Sequence, residues 1–128
     1  MVQVSYARGW NFDVDRGPDW LFVRPRRHGP HPGDTPLWAE QIWALLEQNF
    51  TYRLVLELDE VEYLDSCLVG QLVWLHKRIG ANDGVLRICG LNEFNQDILH
   101  LCGLEGRFGL FRNREEAVMR YARPLQPR

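Results

Sequence analysis

A chain of 128 residues, 45% apolar and 25% charged, is long enough to bury one core and too short for two independent ones, so it reads as a single globular domain over 1–128. A formal charge of −2 argues against nucleic-acid binding, because a surface that tracks phosphates needs a basic excess. The apolar stretches break well before the ~18 residues of a membrane span, and MVQVSYARGW has no apolar signal core, so the expectation is a cytoplasmic protein without membrane contact.

Residues 10–14 (WNFDV) and 20–24 (WLFVR) are short strand candidates, and Arg16-Gly17-Pro18-Asp19 between them has turn composition, which suggests a hairpin. Pro25 to Pro36 holds four prolines, two glycines, His28 and His31, and reads as a long loop. Arg24, Arg26 and Arg27 cluster beside it. Of the 15 basic residues only Lys77 is lysine, so the cluster reads either as a contact for carboxylate or phosphate or as a chain-wide arginine bias without local meaning.

Thr35 followed by Pro36 predicts a helix start, with a capping hydroxyl and a proline at the first helical position, and the helix runs to about Asn49. Trp38, Ile42, Leu45 and Leu46 recur at helical spacing and form its inward face. A strand follows at Arg53 to Leu58, where Leu54, Leu56 and Leu58 alternate with Arg53, Val55 and Glu57; one face is expected to be buried and the other at most partly covered. After an acidic turn, Asp65-Ser66 stands where a second helix begins and runs to about Ile79. Leu68, Leu72, Leu75 and Ile79 line one side of it, widened by Val69 and Val73. Gly80 and Asn82-Asp83-Gly84 stop it. A strand at Val85 to Cys89, a helix from about Asn92 to Cys102, a turn at Gly103 and a short strand at Phe108 to Phe111 come next. Asn113 with Glu115 and Glu116 then marks a last helix start.

Strand and helix alternating after an initial hairpin imply an α/β sandwich. It has a mixed sheet of four to five strands, helices mainly on one face, and parallel neighbours joined by right-handed crossovers. Local chemistry leaves Ser66 open between a helix cap and a modification site, because a helix N-terminus accepts either a serine oxygen or a phosphate.

The segments LVLELDEVEYLDSCLVGQLVWLHKRI, GVLRICGLN, ILHLCGLEGRF and REEAV, in this order and at these separations, resemble the STAS domain of bacterial anti-sigma factor antagonists over roughly Trp10 to Ala122. The resemblance implies an interaction module that takes part in transcription regulation. A serine directly after an aspartate, at the start of the second helix, is phosphorylated in that family by an anti-sigma factor that is also a kinase. The matching residues are Asp65, Ser66, Cys67, Leu68, Val69 and Gly70, which makes Ser66 the implied phosphoacceptor. Cys67 and Leu68 stand where the family has a second serine and a glycine. Gly33-Asp34-Thr35 stands where the family has a Gly-Glu-Leu-Asp type segment. The implied partner surface is therefore Asp34, Thr35, Asp65, Cys67, Leu68, Val69 and Gly70. The implied partners are an anti-sigma factor serine kinase and a phosphatase. The alternative is a STAS scaffold that does not switch, or a sensor of a small ligand.

An enzyme is the least favoured class. Cys67 and His76 lie nine residues apart on one helix, ~13 Å along its axis and on opposite sides, and Ser66 with His76 fails by the same geometry. His100 and Cys102 do not share a helix face. No phosphate-binding glycine motif is present. His28 and His31 are spaced like a metal pair but lack acidic or cysteine company, so neither a metal nor a cofactor is expected. Cys67, Cys89 and Cys102 contain no CxxC pair and read as reduced thiols. Trp10, Trp20, Trp38, Trp43 and Trp74 are too many to be all deep in a domain of this size. Trp43 and Trp74 fall off the apolar stripes, and a homodimer is the expectation drawn from them.

Overall fold

Period-two alternation builds one sheet and period-3.6 stripes cover it. A computed structural model of the chain describes residues 2–6, 10–27 and 38–119. The strands are β1 (Val2–Tyr6), β2 (Trp10–Arg16), β3 (Leu21–Arg27), β4 (Arg53–Glu57), β5 (Val85–Cys89) and β6 (Gly109–Phe111). The helices among the described residues are α1 (Trp38–Gln48), α2 (Ser66–Ala81), α3 (Glu93–Leu101) and α4 (Arg114–Val118). The sheet runs β1-β2-β3-β4-β5-β6 in chain order. Its first three strands are antiparallel and β3 to β6 are parallel. The sheet is thus mixed as expected, with six strands where four or five were anticipated. The addition is β1, which pairs with β2 from Val2↔Val14 to Tyr6↔Trp10.

The hairpin expected around Gly17 is present, closed by Gly17 N–H donating to Trp20 O at 2.9 Å. β3 extends further than expected, through Pro25 to Arg27, into the stretch read as loop. β4 pairs with β3 only over Leu21–Val23, so Pro25 lies on a free margin where its missing N–H costs the sheet little.

One face of the sheet carries the main core. Phe12, Leu21, Val23, Leu54 and Leu56 meet Ile42 and Leu46 of α1, Leu68, Leu72, Leu75 and Ile79 of α2, and Leu99 of α3. Helices α1 to α3 are the crossovers β3-α1-β4, β4-α2-β5 and β5-α3-β6. They lie on one face because successive right-handed crossovers that advance in one direction must. The opposite face holds a smaller cluster of Trp20, Phe22, Val55, Cys89 and Phe111 against Ala117 of α4. The polar side expected for β4 is consequently covered: Val55 is 0% exposed and Glu57 only 4%. Trp10 and Trp20 are buried, and so is Trp43, contrary to its expected place off the stripe. It stacks on Tyr52 with ring centres 5.2 Å apart, and the Arg78 guanidinium lies 4.9 Å from its centre. Trp74 remains 38% exposed.

Candidate functional site

The C-terminal end of β4 leads through residues 58–65 to α2, and buried side chains anchor this connection. Leu58 N–H donates to Cys89 O at 2.9 Å, Val61 N–H turns back to Leu58 O at 3.1 Å, and Val61 and Leu64 sink into the core at 3% and 1% exposure. Asp65 then takes extended geometry (φ −76°, ψ 176°) and its carboxylate accepts from Leu68 N–H at 2.8 Å. Asp65 is therefore the cap. Ser66 is the first helical residue, and it is exposed. Its hydroxyl enters no hydrogen bond among the described residues.

Cys67 and Gly70 are exposed beside Ser66, and a Cβ added at Gly70 would meet nothing within 4 Å. Val69 is half-buried against the core. Leu68, expected on the partner surface, is only 2% exposed. Its side chain belongs to the inward 68/72/75/79 face, and its amide serves the cap. Asp34 and Thr35 lie outside the described residues. The start of α1 does touch α2, where Ala39 N–H donates to the Gln71 side chain at 2.9 Å.

Two asparagines, the N-cap of α3 and one in its first turn, fasten the connection from behind. Asn95 is 0% exposed and uses both ends of its amide, accepting from Leu64 N–H at 2.9 Å and donating to Val61 O at 2.9 Å. Asn92 caps α3 through Asn95 N–H at 2.7 Å and donates to Glu62 O at 3.2 Å. Between these ties stand two exposed rings, Tyr63 and Phe94, each 57% accessible, with centres 5.6 Å apart. Sequence reading missed this arrangement. A polar residue at 95, one turn before the buried Leu99 on the same helix face, was the available signal.

The other face of the sheet, at the same end, carries a charged cluster. Glu57 accepts from Arg24 at 2.8 Å and from Arg114 at 3.1 Å; Arg114 also reaches Asp15 at 2.7 Å, and Arg24 reaches Asp59 at 3.0 Å. Burial opposes the charges of Arg24 and Arg114, but the carboxylates beside them prevail and raise both pKa values. Arg114's hydrogen bond holds the Asp15 carboxyl below its ordinary range. Arg26 pairs with Asp13 at 3.2 Å, and the Arg27 guanidinium sits 5.5 Å from the Trp10 ring centre. The arginine cluster therefore has a local meaning, which is to knit the sheet end together. A cleft of about 400 Å³ opens here between Arg24, Glu57, Cys89 and the start of α4. Burial, with Glu57 and Asp59 nearby, pushes the Cys89 thiol up to about 12.

His76 lies ten residues along α2 from Ser66, against the Phe108 ring, where burial and Arg107 lower its pKa. All three cysteines are free thiols. Among the described residues no group of three or more His, Cys, Asp and Glu is arranged to hold a metal ion, and His28 and His31 lie outside them. No described helix is long and apolar enough to cross a membrane.

Residues 33–117 match the family model of the STAS domain. The sequence matches no curated protein. In structure it is similar to TM1081 of Thermotoga maritima, with TM-score 0.70 and 20% identity over 83% of this chain and 90% of that one. It is also similar to an anti-sigma factor antagonist from Mycobacterium paratuberculosis, with TM-score 0.69 and 20% identity over 90% of this chain and 96% of that one. The anti-sigma factor antagonist SpoIIAA in its unphosphorylated form gives TM-score 0.60 at 16% identity, over 84% of this chain and 92% of that one. At such identities these likenesses establish the fold.

Proposed function

The chain belongs to the STAS domain family, and on that premise we propose that it is an anti-sigma factor antagonist, a binding module whose affinity for an anti-sigma factor kinase is switched at Ser66. The observation that carries this reading is the division of labour at the start of α2. Asp65 does the capping, so the Ser66 hydroxyl stands exposed at a helix N-terminus with no structural duty among the described residues. Two of the structural neighbours are anti-sigma factor antagonists, and the description of SpoIIAA as unphosphorylated supports a modification in that protein.

The switch follows from charge. A phosphate adds about −1.5 to −2 charges and three acceptor oxygens. The N-terminus of a 16-residue helix tolerates them in the free protein. In a complex the same group must be desolvated beside Asp65 and Glu62, and an interface shaped to the bare hydroxyl loses that contact. Cys67 and Gly70 complete the exposed surface next to the serine, with Val69 at its edge; Asp34 and Thr35 extend it in this reading. The chemistry of transfer belongs to the kinase and of reversal to a phosphatase, and the chain itself acts by binding in the cytoplasm. A sensor of a small ligand is the second reading, favoured by the cleft between Arg24, Glu57 and α4.

The test is capture from source-cell lysate with the unmodified protein and with Ser66→Asp. An ATPase-type kinase retained by the first bait and lost by the second, and which labels Ser66 but not a Ser66→Ala protein, is the expected result. Equal retention of the same proteins by both baits overturns the switch and reduces the molecule to a scaffold.

A further inference from the structure

We propose that Tyr63 and Phe94 form an aromatic anchor beside Ser66 that receives an apolar side chain of the anti-sigma factor, one flanked by lysine or arginine. The proposal rests on the reading of Ser66 given above and names the chemistry of its partner. Each ring is 57% exposed although a core lies directly beneath, and the two touch each other at 5.6 Å between centres. Neither sits on loose ground. Tyr63 is flanked by Glu62, whose carbonyl accepts from Asn92, and by Leu64, whose amide donates to the buried Asn95; Phe94 adjoins Asn95 in the first turn of α3. Aromatic side chains with few rotatable bonds, held on a backbone already fixed, lose little freedom on binding, which is what distinguishes an interface anchor from an ordinary exposed ring.

Charge selects the partner. The segment from Glu57 to Asp65 carries Glu57, Asp59, Glu60, Glu62 and Asp65 and no basic residue. Arg24 and Arg26 answer Glu57, Asp59 and Glu60 from within the chain. Glu62, next to Tyr63, is exposed and has no ion pair among the described residues. An apolar group seated on the ring pair therefore lies beside the Glu62 carboxylate, and cationic neighbours complement it. The anchor supplies affinity, and Ser66, three residues beyond Tyr63, supplies the switch.

The test compares the full-length protein with a Tyr63→Ala, Phe94→Ala double variant in source-cell lysate supplied with γ-labelled ATP. Both rings are exposed, so the variant is expected to keep its fold, which its thermal unfolding curve checks. Labelling of Ser66 slowed by about tenfold or more in the folded variant supports the anchor, that being the effect of losing a modest hot spot. Equal labelling of both proteins overturns the anchor and leaves the Ser66 reading intact. If neither is labelled, the Ser66 reading fails and photocrosslinking from a benzophenone amino acid at position 94 decides. An adduct identified by mass spectrometry as an ATPase-type anti-sigma factor, competed away by excess unmodified chain but not by the double variant, supports the anchor on its own; no competed adduct, or an adduct with any other protein or with a second copy of this chain, overturns it.

Discussion

Replacing Asn95 by alanine tests how firmly the connection ahead of Ser66 is held. The side chain is fully buried and, among the described residues, is the only partner of two backbone groups, Leu64 N–H and Val61 O, in residues at most 3% exposed. Each buried backbone group left without a partner costs about 1–3 kcal/mol, so the pair should cost about 2–6 kcal/mol. Unfolding entropy of about 2.1 cal/mol/K per residue gives about 0.27 kcal/mol/K for a chain of 128 residues, and the melting temperature should fall by about 7–22 °C. Circular dichroism melts measure that shift, and hydrogen exchange at the Leu64 amide should show protection lost there first. Asn95→Leu is the control, since it restores volume without restoring either hydrogen bond. A fall of less than ~3 °C for Asn95→Ala, or full recovery in Asn95→Leu, would refute the assignment of this stability to hydrogen bonding.

Three further outcomes follow from the same structure. Asp65→Ala should destabilise the protein by about 1 kcal/mol through loss of the cap, whereas Ser66→Ala should stay within about 0.5 kcal/mol; equal losses in urea unfolding would return the capping role to Ser66. Arg114→Ala leaves the buried Glu57 with Arg24 alone and should cost about 2–3 kcal/mol, less than the 3–5 of a fully orphaned buried charge, again read by urea unfolding. Cys89 should resist alkylation at pH 8 while Cys67 and Cys102 react, because burial pushes its thiol up to about 12. The folded state then holds a proton that the unfolded chain releases above its ordinary value of 9.0, so stability should fall between pH 9.0 and about 12, by about 1.4 kcal/mol per pH unit at most. A Cys89→Ala protein with the same alkaline slope would show that another group is responsible.

Local signals carried most of the element boundaries. Val85–Cys89 was read with its observed limits, and α2 with its start and its four buried positions, because strong periodicity there is bracketed by an N-cap, glycines and a turn. β1 was missed because VQVSY is short and its only partner is the next strand. Pro25 misled, since the loop signal of a proline says nothing of a margin where no neighbour needs its N–H. The second covered face of β4 was invisible because α4 was legible as a helix and its packing place was not; the residues that bury and neutralise Glu57 lie 33 and 57 positions away. Within the site, family resemblance picked out Ser66 while periodicity alone already placed Leu68 in the core. The fastening by Asn95 needed the three-dimensional meeting of α3 with a connection 31 residues earlier.

The strands lie side by side in the order in which they are made, so most pairings join near neighbours in the chain. Arg114 is the exception: it reaches Asp15 across 99 residues and ties the first hairpin to the last helix. Among the described hydrogen bonds this bridge spans the longest stretch of chain and so has the highest closure cost, and it is placed to form after the sheet has assembled. A contact made on the native side of the folding barrier leaves the folding rate alone and governs the lifetime of the folded state. The hairpin strand β2 and helix α4 are thus joined by a latch against unfolding, on the opposite face of the sheet from Ser66.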